Sequence, residues 1–285
     1  MQDVLNDLAL WGDLYPYDQS EQHIMTQNIE QLPVDSLTLF DRAYPSYTLM
    51  YLLLNQEQPR HFVMRCRSNF NKEVQDFLCS AKCSKVVQFT PSREAIKDLK
   101  ALGYMVTAQT GIKVRLVKVK LPTGHMEVLL TNLYNEQVYS TEELKEVYAL
   151  RWQMETTYRK QKSQQQLEVF SGHKVLCIEQ DYAAGLLVAN LQSLIEKQCE
   201  SYVQKINERR RLTYNINKNT SWAAMKHTIV LLFLENQPVV VLQKLQQAFQ
   251  LHLEPVRPNR NYPRNKKARR LNGKYQTFTN YKRAV

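Results

Sequence analysis

Glycine is scarce in this chain of 285 residues, whose seven glycines are all widely spaced. A P-loop and a dinucleotide-binding fingerprint are therefore excluded, because both need clustered glycines that bring backbone amides close to phosphate. Long apolar runs are lacking as well: the longest, such as residues 229–234, fall far short of the ~18 residues of a bilayer-spanning helix. The N-terminus carries no positive stretch typical of a secretory signal. We therefore predict an intracellular protein with no membrane partner.

Cysteine is present in an odd number, five, and only Cys79 and Cys83 are close in sequence. No cluster of cysteine or histidine stands beside them to complete a zinc site, so we predict reduced, buried thiols. The motifs HExxH and GxSxG are absent too, which leaves zincin and serine-hydrolase chemistry without support.

Basic residues are missing from the start of the chain and concentrated at its end. Eight acidic residues and no Lys or Arg precede Arg42, whereas ten basic and no acidic residues occur from Arg257 onward, within a net charge of +11. A surplus of this size favours a polyanionic partner, because Lys and Arg that neutralise phosphates release counterions. A solvated basic face is the alternative interpretation.

The first third of the chain has the pattern of an α/β layer. Residues 36–41 read as a short buried strand that ends on Asp41, an apolar helix follows Pro45 as far as about Leu54, and His61–Cys66 read as the next strand. Functional groups gather at the carboxyl ends of such strands, and Asp41 lies at one.

Residues 84–134 change character and favour strands. The predicted strands are Val86–Phe89, Tyr104–Ala108, Lys113–Lys120 and Met126–Asn132, with a turn at Pro122. We expect an antiparallel insertion rather than more of the α/β layer. The segment Lys113–Lys120 alternates so that one face is basic, which suits either a strand along a DNA backbone or an edge strand protected by lysines.

From Thr141 the pattern is helical. A near capping box at Thr141 starts a helix that we extend to about Gln164, and later helices are expected at 179–200, 222–235 and 239–252, with a break at Pro238. The proline-containing basic tail after Glu254 is predicted to be extended or disordered.

Five residues of the first of these helices would share one stripe at 100° per residue: Tyr148, Arg151, Glu155, Arg159 and Lys162. A carboxylate flanked by cations can be a surface ion-pair ladder. It can also be a metal ligand with phosphate-binding partners, because a hard cation prefers carboxylate oxygen and Arg binds phosphate. Spacing alone leaves both interpretations open.

The spacing Tyr148, two residues, Arg151, three residues, Glu155, six residues, Lys162 matches the Tyr-Arg-Glu-Lys signature of the DDE transposases of bacterial insertion sequences. The segment from Asp41 to Tyr47, with the following helix and strand, resembles the block around the second catalytic Asp of that family. The resemblance covers about residues 1–190, and the basic end around Arg260, Arg264 and Arg283 is also similar.

The resemblance implies an α/β fold: a partial ribonuclease H-like core with an antiparallel β-rich insertion and a C-terminal helical region. The implied divisions are residues 1–78 and 136–200 for the core and its catalytic helix, 79–135 for the insertion, 201–255 for the helical region and 256–285 for the tail.

The resemblance also implies the site. Asp41 and Glu155 would be catalytic carboxylates that hold Mg²⁺ or Mn²⁺ in a two-ion site, with no nucleotide cofactor. Tyr148, Arg151 and Lys162 would contact DNA phosphates, and Arg159 is added from its place on the stripe. The implied partner is double-stranded DNA, as terminal repeats and target, bound by a homodimer in the bacterial cytoplasm at the nucleoid.

The family's first catalytic Asp has no counterpart that we can identify. Asp3 and Asp7 precede Asp41 but sit in what reads as a helical pattern with Val4, Leu5 and Leu8. We therefore expect an N-terminally truncated catalytic domain with little activity on its own. The alternatives are a catalytically inactive DNA-binding or dimerising transposase remnant, and a structural or metabolic α/β protein that carries the signature by chance.

Overall fold

The computed structural model describes residues 1–16, 18–121, 124–163, 169–234, 236–257 and 280–281. Its strands are β1 (Gln2–Asp3), β2 (Leu8–Ala9), β3 (Leu37–Phe40), β4 (His61–Cys66), β5 (Ser84–Phe89), β6 (Ile112–Lys120), β7 (Met126–Thr131), β8 (Val169–Phe170), β9 (Tyr214–Ile216), β10 (Leu253–Pro255) and β11 (Asn280–Tyr281). Its helices are α1 (Glu21–Gln27), α2 (Tyr47–Leu54), α3 (Lys72–Cys79), α4 (Arg93–Ala101), α5 (Thr141–Ala149), α6 (Trp152–Ser163), α7 (Val175–Gln198), α8 (Glu200–Asn207), α9 (Lys218–Thr228), α10 (Leu231–Leu234) and α11 (Pro238–Leu251), with a 3₁₀ turn at Ile29–Gln31.

The chain divides into two compact units. Residues 15–153 form the first, which we call the sheet unit, and residues 1–14 with 154–285 form the second, which we call the helical unit. Each unit has its own buried apolar cluster, one around the strands and one among the C-terminal helices. The predicted domain boundaries remain predictions.

The sheet unit is built on a five-stranded mixed sheet in the order β3-β4-β7-β6-β5. Strands β3 and β4 run parallel, with Leu39 opposite Val63, and helix α2 connects them. The predicted strand–helix–strand order, which ends β3 just before Asp41, is confirmed. The α/β class is confirmed with it, whereas the ribonuclease H-like identity of the sheet remains a prediction.

Strand β6 pairs antiparallel with both β5 and β7, as predicted, but these strands do not form a separate layer. Strand β7 also pairs with β4, Val63 opposite Thr131, and the Thr131 hydroxyl donates to the Phe62 carbonyl at 2.6 Å. The expectation that these strands stand apart from the α/β layer was therefore wrong. Alternation within each strand cannot reveal which strands become neighbours.

The predicted strand Tyr104–Ala108 was also wrong, because the chain there is leaving helix α4, which the sequence prediction missed. The Ser92 hydroxyl caps the start of α4. Gly103 then takes φ +88°, a left-handed conformation that glycine adopts without strain, and the Tyr104 amide bonds back to the Leu99 carbonyl.

The basic face predicted along Lys113–Lys120 is not a continuous surface. Strand β6 lies between β5 and β7, so the edge-strand interpretation is wrong. Arg115 is 1% exposed and donates to the Ser84 hydroxyl and to the carbonyls of Leu133 and Tyr139. The Lys118 ammonium binds the carbonyls of Leu78 and Ser80 at the end of α3. Arg115 and Lys118 thus stabilise the fold and do not form a phosphate-binding face.

Helix α5 packs its apolar side on the sheet. Leu144 and Tyr148 join Val63, Val117 and Leu129 in one buried cluster. Fully burying a side chain of this kind contributes about 1.5–3 kcal/mol. The capping box at its start is confirmed one residue earlier than predicted, with Ser140 as the N-cap. This packing brings the last turn of α5 to the sheet.

The single helix predicted from Thr141 to about Gln164 is broken at residues 150–151. The amides of Leu150 and Arg151 bond to carbonyls three residues back, Val147 and Tyr148, as in a 3₁₀ turn. Helix α6 begins at Trp152. One continuous stripe through Tyr148, Arg151 and Glu155 was therefore a wrong expectation. Residue 164 lies outside the described residues.

The helical unit begins with a hairpin, β1 and β2, where the sequence suggested a helical pattern around Asp3 and Asp7. That expectation was wrong: Asp7 takes φ 54° at the turn, and Asn190 of α7 exchanges two hydrogen bonds with the Ala9 backbone, at 2.8 and 2.9 Å. The later helices follow prediction more closely. Helix α7 covers most of 179–200, and α11 begins at Pro238.

All five cysteines are free, but only Cys66 and Cys199 are buried. Cys79 and Cys83 are exposed where α3 turns into β5, so the prediction of buried thiols was wrong for this pair. Among the described helices, none is long and apolar enough to cross a membrane. The predicted turn at Pro122, and the basic tail from residue 258 except 280–281, lie outside the described residues.

Candidate functional site

Asp41 stands at the carboxyl end of β3, the parallel outer strand of the sheet. Its side chain is 46% exposed, and one carboxylate oxygen accepts a hydrogen bond from the Arg42 backbone amide. The other oxygen faces Arg151. A carboxylate in this position is open to water and can bind a cation or a basic group.

Tyr148 supports the same strand end from α5. Its hydroxyl donates to the Phe40 carbonyl, one residue before Asp41, at 3.2 Å. Burial raises the pKa of Tyr148 to about 12, and the hydroxyl is protonated and able to donate at neutral pH, as it would be at the ordinary value near 10. The bond fixes the backbone from which Asp41 projects.

Arg151 follows directly and pairs with Asp41. Its Nη1 lies 3.4 Å from Asp41 Oδ2, with the Arg151 side chain only 10% exposed. The guanidinium also lies over the Trp152 ring, 5.2 Å from the centroid, and over the Tyr148 ring at 5.9 Å. Three predicted site residues, Asp41, Tyr148 and Arg151, therefore meet inside the sheet unit.

A cavity of about 420 Å³, which the sequence prediction missed, opens at the carboxyl end of β4. Its lining includes Arg42, Arg67, Ser68 and Asn69, together with Cys66, Leu78, Met126, Glu127 and Val128. Arg42 is the neighbour of Asp41 in sequence. Two guanidinium groups and two hydrogen-bonding side chains suit an anionic ligand. The sequence signal was the presence of cations just after the ends of two parallel strands.

Glu155, Arg159 and Lys162 lie on α6 and are placed in the helical unit. At 100° per residue they share one side of that helix, within about 40° of Glu155. Glu155 is partly buried, whereas Arg159 and Lys162 are exposed. The structure thus divides the six predicted residues into two groups of three, one in each unit.

The other side of α6 is held by Asp7 of the N-terminal hairpin. The Asp7 carboxylate accepts from the Thr157 hydroxyl at 3.2 Å and from Lys160 Nζ at 3.2 Å, and Lys218 Nζ of α9 lies 3.6 Å away. Burial alone would raise the pKa of Asp7, but Lys160 and Lys218 outweigh it, and the pKa is lowered. Lys218 also pairs with the buried Glu196 of α7.

This network fixes α6 to the hairpin, α7 and α9, and no sequence signal pointed to it. The Glu196 carboxylate accepts from the Ser221 hydroxyl at 2.8 Å and from Gln192 Nε2 at 3.0 Å. The two carboxylates of this network, those of Asp7 and Glu196, are thus paired with cations and hydroxyls of the chain itself. Asp7 therefore acts as a structural anchor.

The described residues do not assemble a site for divalent metal ions. Over the residues that the structure describes, no group of three or more His, Cys, Asp or Glu side chains could hold a metal ion. Asp41 has the hard oxygen that Mg²⁺ prefers, but a two-ion site needs several such ligands. The described donor set does not fit a two-ion centre.

Comparison with known proteins places the chain in a class. A sequence model of the family described as "Transposase DDE domain" matches residues 3–191. The match covers well over half of the chain, which therefore belongs to this transposase family, as its sequence signature predicted.

A particular relative points the same way. The chain is 29% identical over 174 residues to "Transposase InsG for insertion sequence element IS4" from Escherichia coli (strain K12). The aligned part is 60% of this chain and 37% of the relative, so the chain spans little more than a third of that protein's length. The insertion-sequence class predicted for the family is confirmed.

Proposed function

We propose that the chain acts in DNA transposition, binding the ends of an insertion sequence and taking part in metal-dependent cleavage and transfer of the DNA strand. The observation that carries the proposal is the meeting of Asp41, Tyr148 and Arg151 at the carboxyl end of β3. Asp41 belongs to the segment that resembles the block around the family's second catalytic Asp. Tyr148 and Arg151 belong to the family's Tyr-Arg-Glu-Lys signature.

Each site residue has a proposed role. Asp41 and Glu155 are the proposed carboxylate ligands for Mg²⁺ or Mn²⁺, and because two carboxylates do not complete a two-ion site, no reaction step is assigned to them. Arg151, Arg159 and Lys162 hold DNA phosphates through charge-assisted hydrogen bonds. For Tyr148, a phosphate contact requires its hydroxyl to exchange the Phe40 carbonyl for a phosphate oxygen.

Positive charge around the sheet-unit residues supports DNA as the partner. Arg42, the sequence neighbour of Asp41, and Arg67 line the cavity at the end of β4, and Arg151 pairs with Asp41 itself. Duplex DNA carries one negative charge per ~1.7 Å of helix axis, so adjacent guanidinium groups can each meet a phosphate. A homodimer on the DNA, terminal-repeat and target duplexes as partners, and a place at the bacterial nucleoid belong to the same proposal.

A second candidate function is a DNA-binding or dimerising protein of this family without catalysis. The small donor set favours it: two proposed carboxylates are fewer than a two-ion site requires, and the described residues contain no cluster of three. We therefore expect this chain alone to bind DNA and to cleave it little or not at all.

The test compares two exposed lysines on neighbouring helices. Lys162→Gln removes a proposed phosphate contact from α6, and Lys145→Gln removes the same charge from α5, outside the signature. Affinity for a duplex with the element's inverted repeats is measured over a range of salt concentrations. We expect Lys162→Gln to lower the salt slope by about 1, as for one lost phosphate contact, and Lys145→Gln to leave it unchanged. Equal effects, or no salt-sensitive binding by the wild type, would sink the proposal.

A further inference from the structure

Three consecutive arginines stand in the loop between α8 and β9 of the helical unit. Arg209, Arg210 and Arg211 are all exposed, with Glu208 as the one acidic residue beside them in sequence. Within the described residues, none of the three forms an ion pair with an acidic side chain. The loop therefore displays a dense positive charge that no acidic side chain of the described part of the chain neutralises.

This loop is nevertheless held in one conformation. The Asn207 side chain closes it from both sides, because Asn207 Nδ2 donates to the Tyr214 carbonyl at 3.0 Å and the Tyr214 amide donates to Asn207 Oδ1 at 2.7 Å. The amides of Arg209 and Arg210 bond back to the last carbonyls of α8, at Ile206 and Asn207. The three cations thus project from a closed loop of six residues, 208–213.

One arginine is also fixed through its side chain. The Arg210 guanidinium lies 4.4 Å from the centroid of the Tyr214 ring, which orients its planar donor fork. Tyr214 is held in turn by pairing between β9 and β10, opposite Pro255, and the Val256 amide donates to the Thr213 carbonyl at 2.7 Å.

Cations that serve only to keep a surface hydrated gain nothing from such ordering. Fixing a residue costs about 1–2 kcal/mol of conformational entropy, and three neighbouring like charges repel one another. A closed loop that carries three adjacent exposed arginines, one of them with its guanidinium held over a ring, suits a polyanion whose charges are also closely spaced. Arg binds phosphate bidentately, and successive phosphates of one DNA strand follow each other along a regular backbone.

We propose that Arg209, Arg210 and Arg211 form a second DNA-binding surface, which holds the phosphate backbone of duplex DNA irrespective of its sequence. It is separate in sequence from the signature residues of α5 and α6. The inference rests on the proposed function in one respect, that DNA is the partner. It adds that the C-terminal helices bind the duplex too.

The test is a triple variant, Arg209→Gln with Arg210→Gln and Arg211→Gln, measured by its affinity for a duplex of random sequence at several salt concentrations. Each lost phosphate contact lowers the slope of log affinity against log salt by about 0.9, so the slope should fall by about 2 to 3. The matched control is Lys72→Gln with Lys97→Gln and Lys100→Gln, three exposed lysines of α3 and α4. It removes the same charge and should change the slope by less than about 1.

Amide hydrogen exchange of the wild type, free and with DNA, covers the case in which the triple variant does not fold. Slower exchange of residues 206–214 on DNA binding supports the surface, and protection confined to the sheet unit overturns it. If the wild type binds no DNA, the proposed function fails as well. If it binds and the triple variant keeps the full slope, only the second surface fails. Loss of binding to poly-glutamate with an unchanged DNA slope would assign the loop to an acidic protein partner.

Discussion

At the scale of single residues, Tyr148 and Asp41 differ in burial: Tyr148 is a buried part of the fold, and Asp41 is exposed. Tyr148 is buried with its hydroxyl bonded to the strand that carries Asp41, whereas Asp41 is nearly half exposed and contributes little to the core. The Asp41–Arg151 pair at 3.4 Å is partly solvated, and such pairs contribute about 0–1 kcal/mol. Mutation can therefore separate the stability of the fold, to which Tyr148 contributes, from the chemistry of the site, to which Asp41 contributes.

Tyr148→Phe removes the hydroxyl and keeps the ring. Because the lost bond to the Phe40 carbonyl is buried, we expect a loss of about 1 kcal/mol in the free energy of unfolding, measured by urea denaturation. The matched control is Tyr134→Phe, whose hydroxyl bonds the Lys113 carbonyl at 2.8 Å from an exposed position. Water replaces that partner, so the control should lose less than about 0.5 kcal/mol. Equal losses would contradict the supporting role given to Tyr148.

At the scale of elements, helix α6 combines two different sides. One side carries Glu155, Arg159 and Lys162, and the other is held by Asp7 through Thr157 and Lys160. An exposed helix of twelve residues is marginal without tertiary support. The hairpin that carries Asp7 therefore stabilises the helix that bears half of the proposed site.

Asp7→Asn tests this support through its dependence on pH. The pKa of Asp7 is lowered in the folded chain, so its stabilisation is complete above the unfolded value near 4 and is lost as pH falls through the lower, folded value. Because the Asp7 side chain is about one-third exposed, we expect a loss of only about 1–2 kcal/mol at pH 7, with the difference from wild type shrinking below pH 4.

Urea unfolding of Asp7→Asn and the wild type at pH 7, 5 and 3 measures this difference in the free energy of unfolding. Glu208→Gln, an exposed substitution in the same unit, is the control and should change little at any pH. A difference between Asp7→Asn and wild type that stays constant from pH 7 to pH 3 would show that the carboxylate charge does not hold α6.

The elements also show how far the sequence could be interpreted alone. Period and capping predicted β3, α2, β4 and the start of α5, because those signals are local. The sequence prediction missed the break at Leu150 and Arg151. The break occurs where Arg151 pairs with Asp41, which lies more than a hundred residues earlier in the chain. The same holds for Arg115, whose burial depends on β6 lying between two other strands. Long-range partners carry no local pattern.

At the scale of the whole molecule, a surplus of positive charge turned out to have two uses. Arg115 and Lys118 donate hydrogen bonds to backbone carbonyls inside the sheet unit, although their sequence pattern suggested a DNA-binding face. The arginines at 209–211 remain exposed, although no motif marked them. Net charge therefore predicts a class of partner, and burial decides which cations are exposed to meet it.

The candidate site was predictable in its residue types and only in part in its geometry. The signature spacing identified the family, and the family match then confirmed it. The meeting of Tyr148 and Arg151 with the end of β3 required the packing of α5 on the sheet. The cavity lined by Arg42 and Arg67 arises from two strands side by side, which a single strand pattern does not encode.

We propose that this transposase-family chain binds DNA, and that the carboxylates among its described residues are too few for two-ion cleavage by this chain alone. The most direct test incubates the purified chain with an end-labelled duplex that carries the element's inverted repeat, with and without Mg²⁺, and follows strand cleavage. We predict salt-sensitive binding and no cleavage above the metal-free reaction. Mg²⁺-dependent cleavage at the repeat end by the wild type, abolished in Glu155→Gln, would contradict the claim.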